Sequence, residues 1–143
     1  MLKITSRNVV ETEKTGYVLA KTINAGDVVA LSGELGAGKT AFVRGLARGL
    51  GFDGDVTSPT YATVHQYSGK VNIFHFDMYR INDKDSLHSI GFYDYLDESS
   101  VIAIEWSENI EFALSKKRIN ITLTYGQQEN ERIILIENIK ETE

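Results

Sequence analysis

Two alternations of apolar and polar positions divide this chain into strands and helices. Val101-Ile102-Ala103-Ile104 is wholly apolar, as expected of a central strand buried on both faces, and Glu105 closes it. Asp27-Val28-Val29-Ala30-Leu31 reads the same way. Near the C-terminal end Ile119, Ile121, Leu123 and Tyr125 alternate with polar residues, and the alternation resumes over 132–136 after Gly126-Gln127-Gln128-Glu129-Asn130, which predicts a hairpin. A second antiparallel hairpin is predicted from residues 60–67 and 71–77, both rich in aromatic and β-branched side chains, with Ser68-Gly69-Lys70 between them. Residues 2–5 have the composition of a short strand.

The helical period appears elsewhere. Over residues 39–50 it gathers Phe42, Leu46 and Ala47 into a buried stripe and sets Arg44 and Arg48 on an exposed face, with Gly49 and Gly51 ending the helix. Asn8 and Glu11 have the spacing of a capping box for a helix running to about Ile23, and Ala25-Gly26 turns the chain into the next strand. Residues 82–96 read as irregular to helical and 107–114 as a short helix. There is no internal repeat and no low-complexity linker. The pattern predicts an α/β fold class: one domain, 1–143, with a single mixed β-sheet flanked by helices.

Composition narrows the functions open to such a domain. A chain of 143 residues buries about 70% of its unfolded surface as one domain and leaves little room for a separate substrate-binding domain, so a partner is expected. The 15 basic residues against 20 acidic ones give a formal charge of -5. No global positive field gathers nucleic acid. The one basic run, Lys116-Lys117-Arg118, reads as a solvated turn entering a strand. The absence of cysteine excludes disulfides and thiolate metal sites. Apolar stretches are too short to span a bilayer, and Met1-Leu2-Lys3-Ile4-Thr5 lacks the core of a secretory signal, so a soluble cytoplasmic protein with no membrane association is expected.

The candidate chemistry lies between the strand at 27–31 and the helix at 39–50. Gly33-Glu34-Leu35-Gly36-Ala37-Gly38-Lys39-Thr40 fits the Gly-x4-Gly-Lys-Ser/Thr phosphate-binding loop at every fixed position. Glycines let backbone N–H groups turn toward phosphate oxygens, Lys39 reaches the β and γ phosphates, and the Thr40 hydroxyl reaches Mg²⁺. Such a loop needs a carboxylate at the end of a neighbouring strand to complete a hard-oxygen Mg²⁺ site. Two acids qualify, Asp77 and Glu105, and Glu105 follows the more apolar strand. Thr57-Ser58-Pro59-Thr60-Tyr61 holds the one proline, which makes Ser58, Pro59 and Thr60 either a nucleotide-sensing switch or an ordinary Ser-Pro turn. His65, His75 and His88 are too scattered for a metal site, and His75 within a strand reads as a satisfied core or edge histidine.

Together the phosphate loop, Ser58-Pro59-Thr60-Tyr61, His75-Phe76-Asp77-Met78-Tyr79-Arg80 and Glu105-Trp106-Ser107-Glu108 resemble, in order and spacing, the bacterial TsaE family, formerly called YjeE. The His-x-Asp-x-Tyr-Arg and Glu-Trp pieces are the selective part. The resemblance implies a P-loop NTPase-like domain that binds ATP/ADP and Mg²⁺, acts with the TsaB and TsaD proteins in making tRNA threonylcarbamoyladenosine, and meets tRNA only indirectly. It further implies that Thr40 and Glu105 hold Mg²⁺, that residues 34–40 cradle the phosphates, and that Asp77 serves hydrolysis or positions a magnesium-bound water. Ser58 to Thr60 would be switch-like, with Tyr79, Arg80 and Trp106 supporting the site or its partner contacts. Glu34, Ala41, Tyr61 and Ser107 depart from the usual family residues, and none of these departures removes a phosphate or metal ligand.

The expected function is therefore a Mg²⁺-dependent accessory ATPase. A small-molecule kinase shares the loop but needs a basic lid, which the sequence does not display. A guanine-nucleotide switch lacks its Asn-Lys-x-Asp segment here. A nucleotide-gated binding module with little hydrolysis uses the same residues as the ATPase.

Overall fold

The computed structural model describes residues 1–59 and 64–138. Its strands are β1 (Leu2–Ser6), β2 (Val28–Gly33), β3 (Val64–Ser68), β4 (Asn72–Asp77), β5 (Ser100–Glu105), β6 (Ile119–Tyr125) and β7 (Arg132–Glu137). They form one seven-stranded sheet in the order β1-β7-β6-β2-β5-β4-β3. The four central strands run parallel, β5 beside β2 and β4, and β6 beside β2; β3, β7 and β1 pair antiparallel at the two flanks. Both predicted hairpins form, β3–β4 and β6–β7. The predicted strand residues 60–63 lie outside the described residues.

Helix α1 (Val9–Leu19) starts at Asn8, whose side chain accepts from the Glu11 N–H at 2.9 Å. The reciprocal bond of a capping box goes elsewhere, because Glu11 Oε2 accepts from Arg7 N at 2.7 Å. The helix also ends earlier than expected: at Leu19 it tightens into a 3₁₀ turn, Ala20–Thr22. Helix α2 (Lys39–Gly49) follows the phosphate loop, and α3 (Lys84–Ser89) is a short helix capped by Asp83. The segments Phe92–Tyr95 and Ser107–Ala113 are 3₁₀.

Period-two alternation on the strands sends one set of side chains to each face. Val29, Leu31, Ile73, Val101, Ala103 and Ile121 pack with Phe42, Leu46 and Ala47 of α2. On the opposite face Phe76, Ile102 and Ile104 pack with Leu87, Phe92 and Ile110. Helix α1 packs beside α2 on the same face of the sheet, where Leu19 joins Ile4, Ile134 and Ile136 in the core. The two backbones approach so closely that a Cβ on Gly45 would stand 1.7 Å from the Glu13 carbonyl oxygen, and one on Gly16 would stand 2.3 Å from that of Phe42. Only glycine fits such a crossing. This layer also changes the expectation for the arginines: Arg44 is half-buried and pairs with Glu13 at 2.7 Å, while Arg48 reaches the same carboxylate at 3.9 Å.

In the basic run, Lys116 and Lys117 are exposed, whereas Arg118 turns in to pair with Glu111 and to donate to the Leu114 and Ser115 carbonyls. Among the described residues no helix is long and apolar enough to cross a membrane.

Candidate active site

Parallel packing of β2, β5 and β4 brings their carboxyl ends together, the edge where open α/β sheets place ligands. β2 runs into the loop at Gly33, and α2 begins at Lys39 after Gly38, which holds φ +105°, a conformation that glycine takes without strain. The first helical bond joins Phe42 N–H to the Gly38 carbonyl at 2.9 Å. Geometry thus leaves the N–H groups of Lys39, Thr40 and Ala41 without helical partners, facing a cleft of ≈ 480 Å³. Leu35 to Ala41, Ser58, Asp77, Tyr79, Arg80, Glu105 and Trp106 line it.

Lys39 is 5% exposed. Its Nζ donates to the Gly33 carbonyl at 2.5 Å and the Glu34 carbonyl at 3.0 Å, and stands 4.0 Å above the Trp106 ring. Burial lowers its pKa, while the negative charges of Glu108, Glu105 and Asp77 oppose that shift. Trp106 holds φ 59°, ψ 40°, uncommon for a bulky residue, and its ring meets Tyr79 at 4.9 Å. The turn is fixed on both sides, since Ser107 Oγ donates to the Leu31 carbonyl at 3.0 Å and Asn109 Nδ2 to that of Met78 at 2.9 Å.

β4 and β5 pair so that Asp77 lies opposite Glu105. The Thr40 hydroxyl stands 3.0 Å from each Glu105 carboxylate oxygen. His75, wholly buried on the same face of β4 as Asp77, meets Glu105 Oε2 through Nε2 at 2.5 Å. Its Nδ1 lies 2.9 Å from the Tyr67 hydroxyl, which is 3.3 Å from the Thr57 carbonyl. Burial, aided by the charge on Glu105, pushes the Tyr67 phenol up to about 12. Asp77 accepts from the Tyr79 N–H at 2.9 Å and from Ser58 Oγ at 3.4 Å. Pro59 is buried behind Ser58, the peptide between them is trans, and Thr60 lies outside the described residues.

The donor chemistry fits Mg²⁺. A hydroxyl and two carboxylates supply hard oxygens, and among the described residues no group of three His, Cys, Asp or Glu could form a cage. An ion that keeps its waters and takes phosphate oxygens suits such a sparse set.

Four contributors escaped the sequence reading. His75 is the satisfied histidine that its place in a strand suggests, wholly buried, and it also touches Glu105; its place two residues before Asp77 is the available signal. Glu108 accepts from Gly33 N–H at 3.3 Å. Tyr125 donates to the Leu35 carbonyl, and Arg132, 4.5 Å above the Tyr125 ring, reaches the Gly36 carbonyl at 3.4 Å. The β6–β7 hairpin therefore braces the loop from the side away from Glu105.

Strand, glycine loop and helix N-terminus together define a P-loop NTPase-like α/β fold. The family model described as threonylcarbamoyl adenosine biosynthesis protein TsaE matches residues 6–134, and the chain belongs to the TsaE family. Among curated relatives, the tRNA threonylcarbamoyladenosine biosynthesis protein TsaE of Treponema pallidum is 35% identical over 85% of this chain and 90% of its own. Its namesake in Nostoc is 37% identical over 90% and 81%, and that of Bacillus subtilis 36% over 85% and 77%. The crystal structure of Bacillus subtilis YdiB superposes with a TM-score of 0.79 at 31% identity, covering 97% of this chain and 86% of that one.

Proposed function

We propose that residues 1–143 form a single P-loop ATPase domain that hydrolyses ATP with Mg²⁺ and serves tRNA threonylcarbamoyladenosine biosynthesis as an accessory to the TsaB and TsaD proteins. The observation that carries this reading is the contact of Thr40 with Glu105 at the mouth of the phosphate loop, in a chain of the TsaE family. Family membership favours the pathway, and the loop favours the phosphate chemistry.

In this reading the loop amides and the first turn of α2 bind the phosphates. Lys39 exchanges its two loop carbonyls for phosphate oxygens and brings its charge to the transferring group. Thr40 and Glu105 would hold magnesium, which would supply positive charge to offset that of the phosphates. Asp77, steadied by Tyr79 N–H, accepts a hydrogen bond from the attacking water or from a magnesium-bound one. Ser58 couples the preceding segment to Asp77, while Tyr79, Arg80 and Trp106 form the rim. With a charge of -5, tRNA is engaged through the partner proteins rather than by this surface.

The test is steady-state ATPase of the chain alone, with TsaB and TsaD, and with tRNA added. Slow turnover alone, raised roughly 10³-fold or more by partners that order the site, is the expected result. A rate indifferent to both partners would count against the accessory role, and tight salt-sensitive tRNA binding by the chain alone would favour an autonomous enzyme. Nucleotide binding without turnover in any mixture would support a gated binding module instead.

A further inference from the structure

Glu105 meets Thr40 through both carboxylate oxygens, and one of them, Oε2, is also the atom that meets His75. Behind His75 runs a buried chain of hydrogen bonds with no part in phosphate contact. Glu105 is 4% exposed, His75 0% and Tyr67 4%. Water does not replace a lost partner in such a place, and small changes in hydrogen bonding there act on orientation as well as on energy.

An ionised carboxylate only accepts, so the hydrogen between Glu105 and His75 must sit on Nε2. In the neutral ring Nδ1 is then the acceptor, and the Tyr67 hydroxyl is placed at 2.9 Å to donate to it. That hydroxyl has one hydrogen and a second acceptor in reach, the Thr57 carbonyl at 3.3 Å. Thr57 immediately precedes Ser58, whose hydroxyl meets Asp77. One phenolic hydrogen therefore stands between the carboxylate's support and the backbone of the Ser58 segment. The phenol itself is held by ring contacts to Phe52 at 4.8 Å and to His75 at 5.7 Å.

We propose that His75 and Tyr67 are positioning residues: His75 fixes the Glu105 carboxylate in the orientation that holds magnesium with Thr40, and Tyr67, by giving its one hydrogen to Nδ1, fixes the His75 ring. The inference rests on the Mg²⁺-dependent reading above. Partners of metal-ligating groups in this position change metal affinity by roughly 10- to 100-fold when removed. A merely structural pair would alter melting temperature and leave the magnesium requirement alone.

The experiment is calorimetric ADP binding across a MgCl₂ series for the wild type, Thr40→Ala, His75→Leu, His75→Gln and Tyr67→Phe. His75→Leu removes the donor to Glu105 and should raise the half-saturating Mg²⁺ concentration about 10- to 100-fold, leaving magnesium-free ADP binding within about twofold. His75→Gln can still donate from its terminal amide to Glu105 and should recover most of that loss; Tyr67→Phe should show a smaller increase, about threefold or more. Wild-type magnesium dependence in His75→Leu and Tyr67→Phe, with Thr40→Ala impaired, would overturn this inference and leave the ATPase reading standing. Glutamine behaving as badly as leucine would likewise remove the donor argument. Magnesium-independent ADP binding by the wild type would overturn both. Should His75→Leu fail to fold, nitrogen-15 imidazole spectra of the wild type decide: an Nε2–H tautomer protected from exchange is expected, and an Nδ1–H tautomer would refute the proposal.

Discussion

Gly45→Ala tests the packing of α2, the helix that carries Lys39 and Thr40, against α1. Two effects oppose each other. Alanine is the better helix former by roughly 1 kcal/mol. Its Cβ, however, would lie 1.7 Å from the Glu13 carbonyl oxygen, with the Glu13 carbonyl carbon at 2.6 Å. These are backbone atoms of α1, so no rotamer change relieves the contact, and the helices must separate by more than an ångström. Overpacking of this kind costs roughly 1–3 kcal/mol or more, and here it also loosens the Arg44–Glu13 ion pair. The clash wins. A net loss of about 1–2 kcal/mol corresponds to a fall in melting temperature of roughly 2–8 °C for a chain of this size. Phe42, Leu46 and Ala47, fully buried in the core shared with the sheet, hold α2 in place. Thermal unfolding followed by circular dichroism should show the fall, while calorimetric ADP affinity stays within a few-fold. An unchanged or raised melting temperature would refute the close α1–α2 crossing.

Three further outcomes are expected. Glu105→Ala should weaken the magnesium dependence of nucleotide binding, whereas Asp77→Ala should depress turnover more than ADP affinity; calorimetry and steady-state rates separate them, and the reverse pattern would exchange their roles. Trp106, the sole tryptophan, lies 4.0 Å from Lys39 Nζ, so ADP should change its emission as Lys39 turns to the phosphates; calorimetric binding with unchanged fluorescence would contradict this. Because the Tyr67 phenol is raised from 10.0 to about 12, folding favours its neutral form. Its contribution is complete below pH about 10 and lost as pH rises toward about 12, so the stability gap between wild type and Tyr67→Phe should narrow across that window in urea titrations, and a widening gap would refute the sign.

The phosphate loop, the two hairpins and the buried central strand were legible because each is written in adjacent residues: glycine spacing, period-two alternation, an apolar run ending in Glu105. What remained hidden depends on sheet order. β5 lies between β2 and β4 although 22 residues separate the end of β4 from its start, and only that order sets His75 against Glu105. Tyr125 and Arg132 reach the loop across about ninety residues of sequence, with no local pattern to announce it. Arg44 read as exposed because helical periodicity cannot foresee a second helix packed beside the first. The positions of Asp77 and Glu105 as strand-end acids were anticipated, but their direct pairing across β4 and β5 was not.

Magnesium-dependent ATP turnover by the wild type, Lys39→Ala and Thr40→Ala, each with TsaB and TsaD present, bears most directly on the central claim. Both substituted residues act from the loop and the start of α2, so their circular dichroism should match that of the wild type while turnover falls by roughly 10²-fold or more, the scale set by removing a group that stabilises transition-state charge. Near-normal turnover by a folded Lys39→Ala protein would contradict the assignment of this loop as the phosphate site.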